Sequence, residues 1–184
     1  MNVAYKRATV SDAEAVAHVH CQSWRSTYPG LIPDAVITAW ADLDQRTEGW
    51  QRIIHERPET LWLAVLDGGV VGFADGGVVG FADGGKARLP NDNCDGQVFG
   101  IYLLASAQRR GIGRQLVAKV FADLRANHYT SARVEVLKGN TPAILFYEQL
   151  GATFVREAPF QMLGESLVEW IYVWRTLPQL PVLS

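Results

Sequence analysis

The sequence predicts an α/β sandwich, a single domain built on one mixed, partly parallel central sheet flanked by helices. Three observations carry that prediction. Apolar segments of strand length alternate with helical ones and end in the order βαβαββ, which favours helices packed on a partly parallel sheet. The 184 residues, 48% of them hydrophobic, suffice for one substantial core, and no linker or charge run divides them, so one domain spans residues 1–184. A Gly-x-Gly turn, Gly111-Ile112-Gly113, stands between a strand-like segment and a helix-like one.

The elements follow in chain order. Tyr5 to Ala8 reads as a short strand, and Ser11-Asp12-Ala13-Glu14 as a capping box that starts a helix running to about Trp24. Tyr28 to Pro33 is a turn, Pro33 opens a second helix through Trp40, and a third covers about Gln45 to His55. That helix ends before Pro58, because the residue preceding a proline resists the helical region. Leu61 to Leu66 and Val98 to Leu104 are strands, Arg114 to Ala126 a helix, and Ala132 to Leu137 a strand. Pro142 to Leu150 is a helix capped by Asn140 or Thr141, with Gly151 just past its end. Ala152 to Arg156 and Leu167 to Leu177 are the last strands.

One segment is duplicated in tandem. Asp67 to Ala74 reads DGGVVGFA, and Asp75 to Ala82 repeats it. Asp-Gly turns beside apolar pairs are hairpin signals, so either copy can supply the turn after Leu66. The shift is even, and both registers keep the same faces inward. Eight strand residues span roughly 26 Å, more than a six-residue partner can pair, so one copy builds the hairpin and the other extends it or loops out. A calcium-binding β-roll needs nonapeptide units in series, which this repeat does not supply.

Composition removes several classes. A formal charge of −2 gives no general attraction to nucleic acid or to membrane surfaces. No apolar stretch approaches the roughly 20 residues of a membrane span, and the N-terminus lacks the apolar core of a signal peptide. Cys21 and Cys94 lie far apart without metal-ligand spacing, which predicts reduced thiols, a cytoplasmic protein and no metal site.

The chemistry concentrates in Gln108 to Arg114. Unpaired N–H groups and the dipole of a helix N-terminus favour an anion there, the glycines allow close approach, and Arg109, Arg110 and Arg114 add positive charge. The reading is a pyrophosphate cradle. No Gly-Lys-Ser/Thr follows, which argues against a nucleotide-hydrolysing loop, and the spacing does not fit a dinucleotide fingerprint. Ile101 to Leu116 (IYLLASAQRRGIGRQL) and Asn140 to Phe154 (NTPAILFYEQLGATF) together closely resemble the acetyl-CoA-binding motifs of the GNAT N-acetyltransferase superfamily. The resemblance covers most of the chain and is strongest from Gln97 to Phe154.

It implies a GNAT-type sheet splayed at the acetyl-CoA slot, with acetyl-CoA as acyl donor. The pyrophosphate would sit on Gln108, Arg109, Arg110, Gly111, Ile112, Gly113 and Arg114. Backbone groups of Tyr102, Leu103 and Leu104 would pair with the pantetheine arm, and Asn140 would touch it while also capping a helix. Tyr147 matches the family tyrosine that protonates the departing thiolate; the plainer alternative is an aromatic packed on the sheet with its hydroxyl satisfied locally. Gln97 stands where many relatives carry an acidic base, and an amide does not accept a proton usefully near neutrality. Glu135, Glu165, Glu169, Asp95 or an ordered water chain remain for that role. His18 and His20 on the first helix lie near the acceptor region, but helix histidines are more often structural.

Trp24 and Tyr28 are candidates to wall the acceptor pocket, with the segment Phe160 to Glu165 beside them. A cationic, polyamine-type acceptor would draw on Asp34, Asp42, Asp44 and Glu165. The implied function is acetyl transfer to a small-molecule amine by direct attack. The alternatives are a protein or peptide N-acetyltransferase, or a silent acyl-CoA-binding module. The apolar last strand, LVEWIYVW, either pairs with a second chain in a homodimer or lies inside the sheet.

Overall fold

The structure, a computed structural model, describes residues 2–57, 60–66, 77–88 and 91–181. The chain begins with strand β1 (Val3–Arg7), followed by helices α1 (Ala13–Thr27), α2 (Asp34–Trp40) and α3 (Leu43–Glu56). Strands β2 (Leu61–Leu66), β3 (Gly77–Lys86) and β4 (Gly96–Leu103) lead to α4 (Ile112–Ala126). The chain then passes through β5 (Ala132–Leu137) and α5 (Thr141–Gln149) to β6 (Thr153–Met162) and β7 (Glu165–Trp174). The predicted βαβαββ ending is present. The sheet runs β1-β2-β3-β4-β5-β7-β6. Only β4 and β5 pair in parallel, so the sheet is more antiparallel than the sequence suggested.

Each sheet face carries its own core. On one face α4 buries Ile112, Leu116, Val120 and Leu124, with Val117 and Phe121 beside them, which is the spacing of a single helical stripe. Ile144, Tyr147 and Leu150 of α5 join them against Val98, Val134, Val136, Tyr172 and Trp174 of the sheet. On the other face α1 and α3 bury Val16, Val19, Trp50 and Ile54 against Leu61, Leu63 and Phe81. A third cluster joins Trp24 of α1 and Val36 and Ile37 of α2 to Leu137 at the end of β5. Phe160, Met162 and Leu167 of the β6–β7 hairpin pack onto that cluster.

Several local expectations need correction. The capping box lies two residues earlier than Ser11: Thr9 donates its backbone N–H to Asp12 Oδ2 at 2.9 Å, and its hydroxyl reaches the same oxygen at 2.8 Å. A short 3₁₀ turn, Val10–Asp12, therefore precedes α1. Helix α4 starts at Ile112 rather than Arg114, because Gly111 in the left-handed region (φ 79°) takes the N-cap position. The strand expected to end at Arg156 runs on to Met162, so the segment Phe160 to Glu165 is mostly strand. Leu163 and Gly164, with φ of 48° and 88°, make a two-residue turn of the kind that matches strand twist. The last strand lies between β5 and β6, and the sheet edges are β1 and β6, so β7 offers no free edge to a second chain.

The second repeat copy forms the hairpin strand. Gly77 pairs with Leu66 and Ala82 with Trp62, while the first copy, Asp67 to Ala74, lies outside the described residues. Among the described residues no helix is long and apolar enough to cross a membrane.

Close packing fixes α4 on the sheet at Gly84. A Cβ there would fall 2.4 Å from Val120 Cγ1 and 3.0 Å from the Gln97 carbonyl oxygen. Gly84→Ala should cost about 1–3 kcal/mol in urea unfolding, the range for overpacking. Adding Val120→Ala should recover part of that loss. No loss in the single variant would show that α4 is less tightly seated than this contact implies.

Candidate active site

The site begins where two strands part. Strands β4 and β5 pair only at Gly96↔Ala132, Gln97↔Arg133 and Val98↔Val134, and beyond that point they share no pairing. The cause is visible on the other side of β4. Asp83 of β3 faces Gly100 while Gly84 faces Val98, so Phe99 is an extra residue bulged out of the ladder. A bulge bends its strand and sharpens its twist, here away from β5. The result is an open slot between Phe99–Leu103 and Glu135–Leu137.

Backbone groups of β4 line the slot. The Leu104 N–H is committed to the Val79 carbonyl at 2.9 Å. By strand alternation Tyr102 then also faces β3, and Leu103 turns its N–H and C=O toward the slot. The Leu103 carbonyl accepts from Ser23 Oγ at 3.1 Å and from Gln108 Nε2 at 3.2 Å. Ser23 escaped the sequence reading, since a lone helix serine carries no motif.

The Gln108 to Arg114 turn closes one mouth of the slot. Gln108, Arg109, Arg110, Gly111 and Arg114 are exposed, and Ile112 is buried as the anchor of α4. Arg109, with φ 61°, is held in the left-handed region, as is Gly111, beside which there is open space. A Cβ on Gly113 would touch Ile101, Leu103 and Phe146 at 3.4 Å, so the helix start sits tight against β4 and α5. The N–H groups of Ile112, Gly113 and Arg114 have no intrahelical partner and point out of the turn. This arrangement fits a pyrophosphate, and the slot behind it fits an extended amide chain.

Tyr147 stands on α5, buried, its ring edge-on to Phe146 at 5.5 Å and Trp174 at 5.9 Å. Burial first, and then the Tyr102 phenol, hold its hydroxyl far above the ordinary tyrosine value. The same phenols act on Tyr28, raised by burial and then by Tyr102, Tyr147 and Glu169. Tyr28, Tyr102, Tyr147 and Glu169 therefore gather around the slot. Asn140 is buried and caps α5, its Oδ1 accepting from the Ala143 N–H at 3.4 Å.

The acceptor side is aromatic. Trp24 and Trp40 stack at 3.7 Å, Tyr28 meets Trp24 at 4.6 Å, and His20 lies 4.5 Å from Trp40 and 4.3 Å from Tyr102. Trp40 was not among the sequence candidates; only its helical spacing from other aromatics could have signalled it. His20 is buried and accepts at Nδ1 from Trp50 Nε1 at 3.2 Å, and burial followed by Arg46 lowers it to about 3. It is a neutral packing residue. His18 is exposed.

Other candidates fall away from the slot. Gln97 is buried below the point of parting, taking the Arg88 N–H at 3.1 Å and donating toward Glu135 Oε2 at 3.4 Å. Asp95 accepts from the backbone and hydroxyls of Thr130 and Ser131. Burial alone would raise it, yet those hydrogen bonds win and hold it far below the usual carboxylate range. Asp42 caps α3 through the Gln45 N–H, and Asp34, Asp44 and Glu165 are exposed. Among the described residues no group of His, Cys, Asp and Glu could hold a metal ion.

Comparison with known proteins agrees with this geometry. Residues 17–152 match the model of the acetyltransferase (GNAT) family. An uncharacterized N-acetyltransferase, YuaI, of Bacillus subtilis (strain 168) is 32% identical over 182 residues, covering 98% of both chains. The fold is shared with the PaiA N-acetyltransferase of Thermoplasma acidophilum in complex with coenzyme A (TM-score 0.70, 17% identity, 92% of this chain and 98% of that one). It is shared too with YncA, an acetyltransferase of Salmonella typhimurium with its cofactor acetyl-CoA (TM-score 0.67, 17% identity, 100% and 99%). A strand pair that parts over an anion cradle, a family match across most of the chain and a full-length relative lead to one conclusion: the chain belongs to the GNAT acetyltransferase family, as an acetyl-CoA-dependent N-acetyltransferase.

Proposed function

We propose that this N-acetyltransferase acetylates the primary amine of a small molecule by direct attack, with no covalent enzyme intermediate. The observation that carries the small-molecule reading is the closure of the acceptor side. Trp24, Tyr28 and Trp40 from α1 and α2 share one cluster with Phe160, Met162 and Leu167 of the β6–β7 hairpin. That wall bridges the end of the slot, which suits a compact acceptor better than a peptide, for which an open groove is needed. The exposed positions of Asp34, Asp42 and Asp44 favour an amine on an apolar or aromatic body over a polyamine.

When bound, acetyl-CoA supplies the thioester carbonyl that the amine attacks. The cradle residues Gln108, Arg109, Arg110, Gly111, Ile112, Gly113 and Arg114 hold the pyrophosphate through N–H groups and charge. The slot-facing groups of Leu103 align the pantetheine amides like an added strand, and Asn140 lies at the opposite wall. Tyr147 gives its hydroxyl proton to the departing sulfur. Its raised pKa keeps that proton in place throughout the neutral range, so the donor is always loaded.

The first test is thiol release from acetyl-CoA against amines of different classes, with short peptides as the competing class. Turnover on a small amine and none on peptides supports the reading; the reverse replaces it with a peptide acetyltransferase. Tyr147→Phe should lower kcat about a hundred-fold, within the usual range for general acid catalysis, with acetyl-CoA affinity unchanged. Full turnover in that variant removes Tyr147 from the acid role. Gly111→Ala places a Cβ in the left-handed region at a cost of about 1–2 kcal/mol. It should weaken acetyl-CoA binding about tenfold by calorimetry, and an unchanged affinity would remove this turn from the cradle.

A further inference from the structure

Acyl transfer to an amine needs one more group, a base for the proton that the ammonium sheds. Of the carboxylates near the slot, Glu135 is already clamped: Arg133 donates to it at 2.7 Å and Gln97 approaches it at 3.4 Å. Glu169 differs. It sits on β7 opposite Leu137, beyond the last β4–β5 pair and so beside the open slot. Its even-numbered neighbours Trp170, Tyr172 and Trp174 pack with α4 and α5, while Leu167 packs with the acceptor aromatics. Alternation therefore turns Glu169 toward the acceptor side. It is half-buried, and among the described residues its carboxylate has no hydrogen-bond or ion-pair partner. A carboxylate drawn from water without compensation is costly, and such groups mark functional sites.

We propose that Glu169 is the base that takes the proton from the acceptor amine, with Glu135 acting through it as a positioning residue. The inference rests on the amine-acetylation reading above. The ammonium N–H bond breaks and an O–H bond forms on Glu169. The amine lone pair so released makes the new C–N bond as the thioester C–S bond breaks, the sulfur takes its proton from Tyr147, and the second amine proton restores the Tyr147 hydroxyl. Glu169 returns its proton to solvent before the next turnover.

The groups facing Glu169 come from every packed element. Glu135 and Arg133 lie on β5, Tyr102 on β4 and Tyr28 at the end of α1. Arg156 of β6 stands further along the same face in its pair with Asp92 at 2.7 Å. Burial and then the like charge of Glu135, opposed by Arg133, raise the Glu169 carboxyl to about 7. The accepting carboxylate form is present above that value and lost as pH falls through it, so kcat/KM should decline on the acid side of about 7.

The test joins two readouts on the full chain. In ¹³C carboxyl NMR without acetyl-CoA, one glutamate should titrate near 7 and vanish in Glu169→Gln. Glu135→Gln removes a like charge and should move both that titration and the acid limb of kcat/KM to lower pH. Glu169→Gln should lose about a hundred-fold in kcat with its melting curve and acetyl-CoA affinity kept. Turnover and an acid limb retained in Glu169→Gln, or a Glu169 titration near the ordinary value of about 4.3, overturn this proposal alone. Acetyl-CoA binding without turnover on any amine overturns the function reading and this proposal together.

Discussion

The site depends on one constraint: β4 and β5 are hydrogen-bonded for three residue pairs and then separate. Backbone N–H and C=O groups left unpaired inside a protein are costly, so a strand that loses its neighbour must find another partner. In β4 the Leu103 carbonyl takes Ser23 Oγ and Gln108 Nε2 in place of β5, and under the proposed function a bound chain of amides would pair along the same edge. The bulge at Phe99 drives the separation, and Gly100 permits it. A Cβ at Gly100 would stand 2.9 Å from the Tyr102 ring, the side chain that carries the acceptor-side aromatics up to the slot.

The slot opens between the two faces of the sheet. On one face α4 and α5 bring the cradle and Tyr147; on the other α1, α2 and the β6–β7 hairpin bring the acceptor wall and Glu169. The same dry surroundings raise both titrating groups. Burial disfavours the ionised form, so it keeps the Tyr147 hydroxyl loaded with its proton and makes the Glu169 carboxylate more willing to accept one. One physical effect thus raises a phenol and a carboxyl on opposite sides of a parted sheet.

Much of this was legible in the sequence, for identifiable reasons. The helical stripe from Ile112 to Leu124, the Gly-x-Gly turn and the Asn140 cap are local patterns, and each lies within a residue or two of its predicted place. The Phe99 bulge was not legible, because it is defined by what faces it across β3 and leaves no mark on β4. Glu169 was one outsider among several. The strand around it, Leu167 to Trp174, is apolar on both faces, so no alternation announced which way the carboxylate points. The edge-or-interior question for β7 had the same root: a strand covered on both faces reads as one apolar run wherever it sits. The hairpin turn at Leu163-Gly164 lacked the usual Asn-Gly or Asp-Gly signal.

Gln97 gains meaning from the same network. Arg133, almost fully buried just below the slot, joins Glu135 at 2.7 Å to Asp92 at 3.1 Å, and Arg156 closes the chain onto Asp92. The local charge is balanced with Glu135 as its last anion before the acceptor side. An acidic residue at position 97 would lie against Glu135, where the Gln97 amide now donates at 3.4 Å, adding a second negative charge beside it. An amide there instead supports Glu135 without competing for Arg133. The proposed base lies instead across β5 at Glu169, beyond the point where the strands separate.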